Sequence, residues 1–319
     1  MVEKDIFLSG MMGLIVGDAL GLPAQFLRRE EVAQNPVTGM RAGYGMPAGS
    51  WSDDSSMALC TLTSLITYGY NPQDIMKRFV AWYDNGEYTP FGKAFDIGMT
   101  CDDAICNFEE GEDIYHCGLT GERSNGNGSL MRILPACLYF AIKKVDDAEA
   151  VQKIETISAL THAHKRSKIG CGLYYFMVRE ILYGAGELKK LLQSGLNKGL
   201  AFYEKDESCR ADLHCYDLLR DLSSLSEVDV SYISTSGYVV DSLVSSVWGI
   251  ITTASYRDAL LKLVNLGDDA DTVGAIAGGL AGLYYGYEKI PEEWLQAVVK
   301  REKLEEICRR ADMFIKLDA

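Results

Sequence analysis

The chain has 319 residues and 48% hydrophobic content, enough to bury a large core in one large domain or two of ordinary size. Its formal net charge of −14 argues against non-specific binding to nucleic acid or to an anionic membrane surface. Nine cysteines without a C-x-x-C pair are typical of reduced thiols in a cytoplasmic protein, and the first residues lack the basic region of a signal peptide. We expect a cytoplasmic protein with neither a nucleic acid nor a membrane partner.

Helical spacing of apolar residues dominates the chain, whereas strand-like alternation is short. The best strand-like segment, 232–240, is interrupted by Gly237. The sequence contains neither a low-complexity linker nor a repeat, so it predicts an all-α protein with a single domain over residues 1–319. The spacing predicts helices over 5–20, 56–68, 73–84, 93–107, 129–143, 147–161, 166–183, 187–196, 210–222, 241–252, 256–264, 272–287 and 292–302.

A first acidic turn lies in the segment GSWSDDSSMAL, residues 49–59, just before a predicted helix. Asp53 and Asp54 stand side by side there, flanked by Ser52 and Ser55. Adjacent carboxylates repel each other, and burying either without a partner is costly or forces it to protonate. A surface turn would tolerate the pair, and a divalent cation would require it.

A second acidic turn precedes the helix predicted over 272–287, with Asp268, Asp269, Asp271 and Thr272 at its entrance. Capping and the helix dipole explain one aspartate near a helix N-terminus, but they do not readily explain three.

The helix behind this turn carries a ridge of glycines, interleaved with alanines. Each interior glycine costs roughly 0.5–1 kcal/mol relative to alanine, so the ridge makes sense where other backbones pack against it. The pattern predicts a central buried helix. The ridge consists of Gly274, Gly278, Gly282 and Gly286.

Together the two turns offer an all-oxygen ligand set without histidine or cysteine, which suits Mg²⁺ or Mn²⁺ better than zinc. At least four carboxylates make two cations with shared ligands plausible. The alternative is a pair of unrelated helix caps. The candidate metal ligands are Ser52, Asp53, Asp54, Asp269, Asp271 and Thr272.

A glycine-dense loop, GLTGERSNGNGSLMR at 118–132, opens onto another predicted helix. Gly126 and Gly128 would let backbone N–H groups approach an anion, although Asn-Gly-Asn-Gly is also common in ordinary turns. His162 and His164 have an H-x-H spacing, which on a helix directs the two side chains apart and disfavours a zinc site. A packed, hydrogen-bonded His162 is the alternative to one that contacts substrate.

Five segments in order along the chain resemble the ADP-ribosylglycohydrolase family, which includes dinitrogenase reductase-activating glycohydrolase. These segments are GLIVGDALGLPAQF (13–26), SWSDDSSM (50–57), SNGNGSLMRILP (124–135), THAH (161–164) and GDDADTVGAIAGGLAGLYYG (267–286). The resemblance implies a compact all-α fold with two cations, Mg²⁺ or Mn²⁺, at the bottom of a cleft.

The resemblance also implies roles for individual residues. Ser52, Asp53 and Asp54 would supply one side of the metal centre, and the second turn, without Asp268, would supply the other. Among these ligands, Asp53, Asp54 and Asp269 are the expected catalytic residues. The expected substrate-binding residues, near the diphosphate and ribose, are Ser124, Asn125, Gly126, Asn127, Gly128 and His162; the match of His164 is less specific.

One position departs from the family pattern. Many members have a glutamate after the GDALG-x-P segment, where this chain has Gln25. An amide can bind a cation through its carbonyl oxygen but is not a general base at neutral pH. A water activated by Asp53 or Asp54 could replace that base, and so could Glu30 or Glu31, unless these two are helix-surface residues.

The resemblance implies hydrolysis of the N-glycosidic bond between ADP-ribose and an acceptor, with protein arginine as the expected acceptor. The partner would then be an ADP-ribosylated protein or a small ADP-ribose conjugate. One alternative is an O-linked ADP-ribose hydrolase acting on serine-linked, poly(ADP-ribose) or O-acetyl substrates. Another is a catalytically silent ADP-ribose-binding protein, and its only support is the presence of Gln25 where many family members have a glutamate. The sequence does not indicate the oligomeric state.

Overall fold

The computed structural model describes residues 5–317 and is all-α, as the sequence predicts. Within this part of the chain, β-structure is limited to isolated bridges. The single-domain prediction stays a prediction, and its outer residues, 1–4 and 318–319, lie outside the described range. The helices are α1 (Ile6–Gly21), α2 (Arg29–Gln34), α3 (Asp53–Tyr68), α4 (Pro72–Asn85), α5 (Met99–Glu109), α6 (Leu134–Ile142), α7 (Asp147–Ala159), α8 (Lys165–Tyr183), α9 (Leu188–Tyr203), α10 (Arg210–Leu213), α11 (Leu222–Ser226), α12 (Val239–Ile251), α13 (Tyr256–Val264), α14 (Ala270–Tyr285), α15 (Glu292–Ala297) and α16 (Arg301–Leu317).

The centre of the fold is the pair α1 and α14, which pack backbone against backbone. A Cβ at Gly17 would lie 2.0 Å from the Gly274 carbonyl oxygen, and one at Gly278 would lie 2.2 Å from the Gly13 oxygen. Glycine is therefore required on both helices for this close approach. The predicted central buried helix is confirmed, since every residue of α14 from Ala270 to Leu283 is buried.

Gly286 does not belong to this ridge, contrary to the sequence prediction. It follows the last residue of α14 with a φ of +91°, and a Cβ there would meet no atom within 4 Å. Its role is to end the helix in a conformation that other residues rarely adopt.

Helix α1 is almost as deeply buried as its partner. By length and composition the segment Ile6–Ala24 is apolar enough to cross a membrane, but 94% of its most apolar window is buried inside the protein. It is thus a core helix of this fold. Asp312 on α16 caps its start, because its carboxylate accepts the Phe7 N–H at 2.8 Å and the Leu8 N–H at 3.0 Å.

Several predicted helix boundaries are wrong for local reasons. The helix predicted over 129–143 begins only at Leu134, because Pro135 fits only the first turn of a helix. The helix predicted over 93–107 begins at Met99, after Gly98 at the N-cap. The helix predicted over 292–302 is divided into α15 and α16 at Lys300, whose φ is +60°.

Further differences concern short or missing elements. The segment 210–222 forms α10 and a 3₁₀ turn at His214–Leu219 rather than one helix, because the Asp221 side chain caps a new helix, α11. Helix α9 extends to Tyr203, past the predicted end at 196. The strand-like segment 232–240 contains no strand, and α2 and most of α16 have no counterpart among the predicted helices.

Candidate active site

The two acidic turns meet at the N-termini of α3 and α14. Ser52 is the N-cap residue of α3, and Asp269 occupies the same position in α14. The Thr272 hydroxyl donates to Asp54 Oδ2 at 3.4 Å, which joins turns that are 218 positions apart in sequence. The partial positive charges of two helix N-termini favour carboxylates at this point.

The carboxylates of these turns are deeply buried. Asp53 is 6% exposed, Asp54 1% and Asp271 0%, whereas Asp269 is half-buried. Burial raises the pKa of Asp53, Asp54 and Asp271 well above the usual value, and repulsion from neighbouring carboxylates raises it further. Burial also raises the pKa of Asp269. A positive charge is needed for all four groups to stay ionised.

Two oxygens of this cluster are buried without a hydrogen-bond donor, namely Asp54 Oδ1 and Asp271 Oδ2. Unpaired buried carboxylate oxygens are unfavourable unless a cation or donor meets them. The hydroxyls of Ser52 and Thr272 lie beside Asp54 and complete an all-oxygen donor set. The residues present therefore fit a hard divalent cation.

Asp18 is a member of this cluster that the sequence prediction does not include. One oxygen each from Asp18, Asp54 and Asp271 lie within 4.8 Å of one another. The Asp18 carboxylate accepts hydrogen bonds from the backbone N–H and the hydroxyl of both Ser52 and Ser55. Burial raises its pKa to about 7 against the effect of these donors. These donors occupy both Asp18 oxygens and all come from the N-cap and first turn of α3, so the Asp18 carboxylate holds the start of that helix in place.

A cleft of about 410 Å³ opens above the carboxylates. Ser52, Asp54 and Asp271 are buried beside it without lining it, and Ser124 and Asn125 also lie outside its lining. The lining includes Gln25, Asp53, Asp96, Asn127, His162 and Asp269.

The Asn-Gly loop connects the cleft wall to the second acidic turn. Asn127 Nδ2 lies 2.7 Å from Asp269 Oδ2 and 2.8 Å from Ser242 Oγ. The Asn127 N–H donates to the Gly237 carbonyl, so it is not free to bind an anion. A Cβ at Gly128 would lie 2.7 Å from His162 Cε1, so the glycine here is required by packing against the histidine.

His162 lies in the cleft wall, 3% exposed, with Nδ1 2.9 Å from the Thr161 hydroxyl. Burial, with a smaller contribution from Arg132, lowers its pKa to about 3. His162 is therefore a neutral, hydrogen-bonded ring at physiological pH. His164 has a different setting, because it caps α8 and pairs with Glu122 at 3.3 Å.

Asp96 is a second site residue that the sequence prediction does not include. It has a φ of +63° in the loop before α5 and lines the cleft. Its carboxylate accepts Gln25 Nε2 at 2.7 Å and the Tyr44 hydroxyl at 3.2 Å. Burial raises its pKa, and its charge in turn raises the pKa of two candidate metal ligands, Asp53 and Asp271.

Glu30 and Glu31 are surface residues of α2. The sequence leaves open whether either could act as the base, and their positions agree with the helix-surface alternative. Both are exposed, neither lines the cleft, and Glu31 pairs with Arg28 at 3.1 Å.

A comparison with protein-family models agrees with the helical fold and with the buried acidic centre under the cleft. The ADP-ribosylglycohydrolase family model matches residues 2–318. The chain belongs to the ADP-ribosylglycohydrolase family.

Named relatives are similar to the chain over nearly its full length. An ADP-ribosylarginine hydrolase Tri1 from Serratia proteamaculans is 29% identical, covering 94% of this chain and 77% of that protein. An ADP-ribosyl-[dinitrogen reductase] glycohydrolase from Rhodospirillum rubrum is 29% identical, covering 98% and 96%. A solved structure described as an ADP-ribosylglycohydrolase-related protein complex is 29% identical with a TM-score of 0.79, covering 98% of this chain and 99% of that one.

Proposed function

We propose that this protein hydrolyses the N-glycosidic bond between ADP-ribose and the guanidinium group of arginine on a protein or small conjugate. The family match and the relatives named for ADP-ribosylarginine and for ADP-ribosyl-dinitrogen reductase support this activity. The observation that carries the proposal is the buried cluster in which Asp54 and Asp271 each keep one oxygen without a donor.

Two divalent cations, Mg²⁺ or Mn²⁺, would be held by Ser52, Asp53 and Asp54 from α3 and by Asp269, Asp271 and Thr272 from α14. When bound, such cations supply charge that polarises substrate hydroxyls and lowers the pKa of a coordinated water. No described Lys or Arg side chain is among the main charges that act on the four carboxylates. Divalent cations would supply that missing positive charge.

The other residues of the cleft orient these groups. Asn127 holds Asp269 and Ser242 together, so a displacement of the Asn-Gly loop would move the second acidic turn. Asp18 holds the first turn through Ser52 and Ser55. His162 is neutral and offers a hydrogen-bonding ring to the ribose without adding charge.

Asp96 is the residue that would accept the proton of the attacking water. It faces the cleft, and its two partners fix the orientation of its carboxylate. Gln25 cannot serve as this base because an amide does not take a proton at neutral pH. Water would attack the anomeric carbon, and the electron pair of the C–N bond would leave with the guanidine nitrogen.

The test is release of ADP-ribose from an arginine-linked peptide in the presence of Mn²⁺ or Mg²⁺, repeated with EDTA. We expect release with the cation and none after chelation. Asp269→Asn should abolish release while leaving circular dichroism and thermal unfolding without metal close to wild type. Release by that variant at the wild-type rate would contradict the proposal. No release by metal-loaded wild-type protein would direct the assay to serine-linked, poly(ADP-ribose) and O-acetyl substrates.

A further inference from the structure

Gln25 carries a buried acceptor that nothing in the described structure satisfies. The side chain is 7% exposed and lines the cleft, and its Oε1 has no hydrogen-bond partner. A buried carbonyl oxygen without a donor is unfavourable, and native structures rarely keep one without a reason. A donor on a bound ligand would satisfy it.

The contacts of Asp96 fix which end of the Gln25 amide is the donor and which is the unpaired acceptor. An ionised carboxylate only accepts hydrogen bonds, so the Gln25 atom 2.7 Å from Asp96 Oδ2 is the N–H₂ group. The Tyr44 hydroxyl donates to the other carboxylate oxygen at 3.2 Å. The amide therefore cannot rotate to present its donor without losing the bond to Asp96, and Oε1 remains an acceptor.

The two kinds of ADP-ribose linkage differ at this point. A glycosylated guanidinium carries several N–H donors around its planar group, whereas an O-glycoside of serine offers only an ether oxygen. They also differ in the proton that bond cleavage requires. A guanidinium leaves as neutral guanidine when the C–N electron pair moves to nitrogen, but a serine alkoxide must receive a proton.

We propose that Gln25 is a specificity-determining residue that selects arginine-linked over serine-linked ADP-ribose, with its carbonyl oxygen accepting an N–H of the leaving guanidinium. This inference rests on the proposed function. The amide supplies the acceptor that a guanidinium needs and withholds the acidic proton that an alkoxide needs, so one residue favours the first substrate and disfavours the second.

Two exposed aromatic rings beside Gln25 fit the same leaving group. Phe26 lines the cleft at 65% exposed, and its ring centroid lies 6.0 Å from that of Tyr44. Planar guanidinium groups stack on aromatic faces, and such faces attract cations. A neutral serine side chain would gain neither effect.

The experiment compares two peptides of the same backbone, one carrying arginine-linked and the other serine-linked ADP-ribose. The measured quantity is the ratio of kcat/KM for the arginine peptide to kcat/KM for the serine peptide, with Mn²⁺ bound. We expect Gln25→Glu to lower this ratio at least tenfold, because a protonated carboxyl can donate to the departing oxygen. We expect Gln25→Met to raise KM for the arginine peptide, with a smaller change in kcat. Gln34→Glu is the matched control, since it makes the same amide-to-carboxyl exchange at an exposed position of α2.

A second readout is binding of free arginine to the protein loaded with Mn²⁺ and ADP-ribose, measured by calorimetry. Gln25→Met should weaken this binding at least fivefold while the Mn²⁺ affinity stays at the wild-type value. An unchanged substrate ratio in Gln25→Glu, or a Gln25→Met variant that loses Mn²⁺ affinity, would overturn the inference. An unchanged ratio would mean that residue 25 does not distinguish the two leaving groups. A lost Mn²⁺ affinity would mean that residue 25 binds the cation.

Wild-type activity separates this inference from the proposed function. If the wild type hydrolyses the arginine peptide but Gln25→Glu leaves the ratio unchanged, only the inference fails. If the wild type hydrolyses the arginine peptide but prefers the serine peptide, again only the inference fails. If the metal-loaded wild type does not hydrolyse the arginine peptide, both fail.

Discussion

Gly17→Ala should destabilise the protein, because the new methyl group would meet the backbone of α14. The ideal Cβ lies 2.0 Å from the Gly274 carbonyl oxygen, whereas contacts under 3.0 Å are essentially never seen, so the helices must part by about 1 Å. Overpacking of this kind costs about 1–3 kcal/mol, and the upper end applies here because the methyl group meets backbone rather than the end of a flexible side chain. The higher helix propensity of alanine offsets roughly 0.5–1 kcal/mol of that cost. We expect a net loss of about 2 kcal/mol in the free energy of unfolding.

The matched control is Gly10→Ala on the same helix. Its Cβ would meet only the ends of the Leu134 and Leu138 side chains, both at 3.4 Å, which is ordinary contact. The expected change is between zero and about 1 kcal/mol of stabilisation, from helix propensity alone.

Thermal and urea unfolding of the metal-free proteins measure the difference. With an unfolding entropy of about 2.1 cal/mol/K per residue over 319 residues, 2 kcal/mol lowers Tm by about 3 °C. Equal stability of the Gly17→Ala and Gly10→Ala variants would refute the claim that backbone contact between α1 and α14 requires glycine.

Three further predictions concern the site and the ends of the chain. Asp96→Asn should lower kcat for arginine-linked substrate by about 10²–10³-fold at unchanged Mn²⁺ affinity, measured by steady-state kinetics and calorimetry; a kcat within threefold of wild type would exclude Asp96 as the base. The pKa of His162 is lowered from 6.5 to about 3 in the folded protein, so its contribution to stability is present above pH 6.5 and is lost as pH falls from 6.5 towards 3. Unfolding in that window should take up about one proton more per chain in the wild type than in His162→Gln, and equal pH dependence of the two would contradict the lowered pKa. Asp312→Ala should lower the free energy of unfolding by about 1–2 kcal/mol by removing the acceptor for Phe7 and Leu8, and an unchanged urea midpoint would contradict this.

The parts of the fold that are predictable from sequence have local causes. The glycine ridge of α14 is costly in a helix unless backbones pack against it, and α1 carries the matching glycines. The paired carboxylates are likewise unusual enough for the amino-acid sequence alone to connect the two acidic turns, and the fold brings Asp54 and Thr272 into contact.

The parts that are not predictable depend on contacts between distant segments. Helical spacing over 93–107 includes Asp96, but its positive φ and its bonds to Gln25 and Tyr44 are set by loops that pack together only in the fold. Asp18 lies within an apolar run, and its partners are 34 and 37 residues away. A polar residue inside an otherwise apolar helix is the signal that could have identified it.

Titration of the metal-free protein with Mn²⁺, followed by calorimetry and by turnover of arginine-linked substrate on the same sample, tests whether the buried carboxylates form a metal centre that the activity requires. We expect two Mn²⁺ ions per chain, with activity appearing as they bind, and loss of both binding and activity in Asp54→Asn. A folded wild-type protein that binds no Mn²⁺ or Mg²⁺, or that releases ADP-ribose equally well in EDTA, would contradict the account.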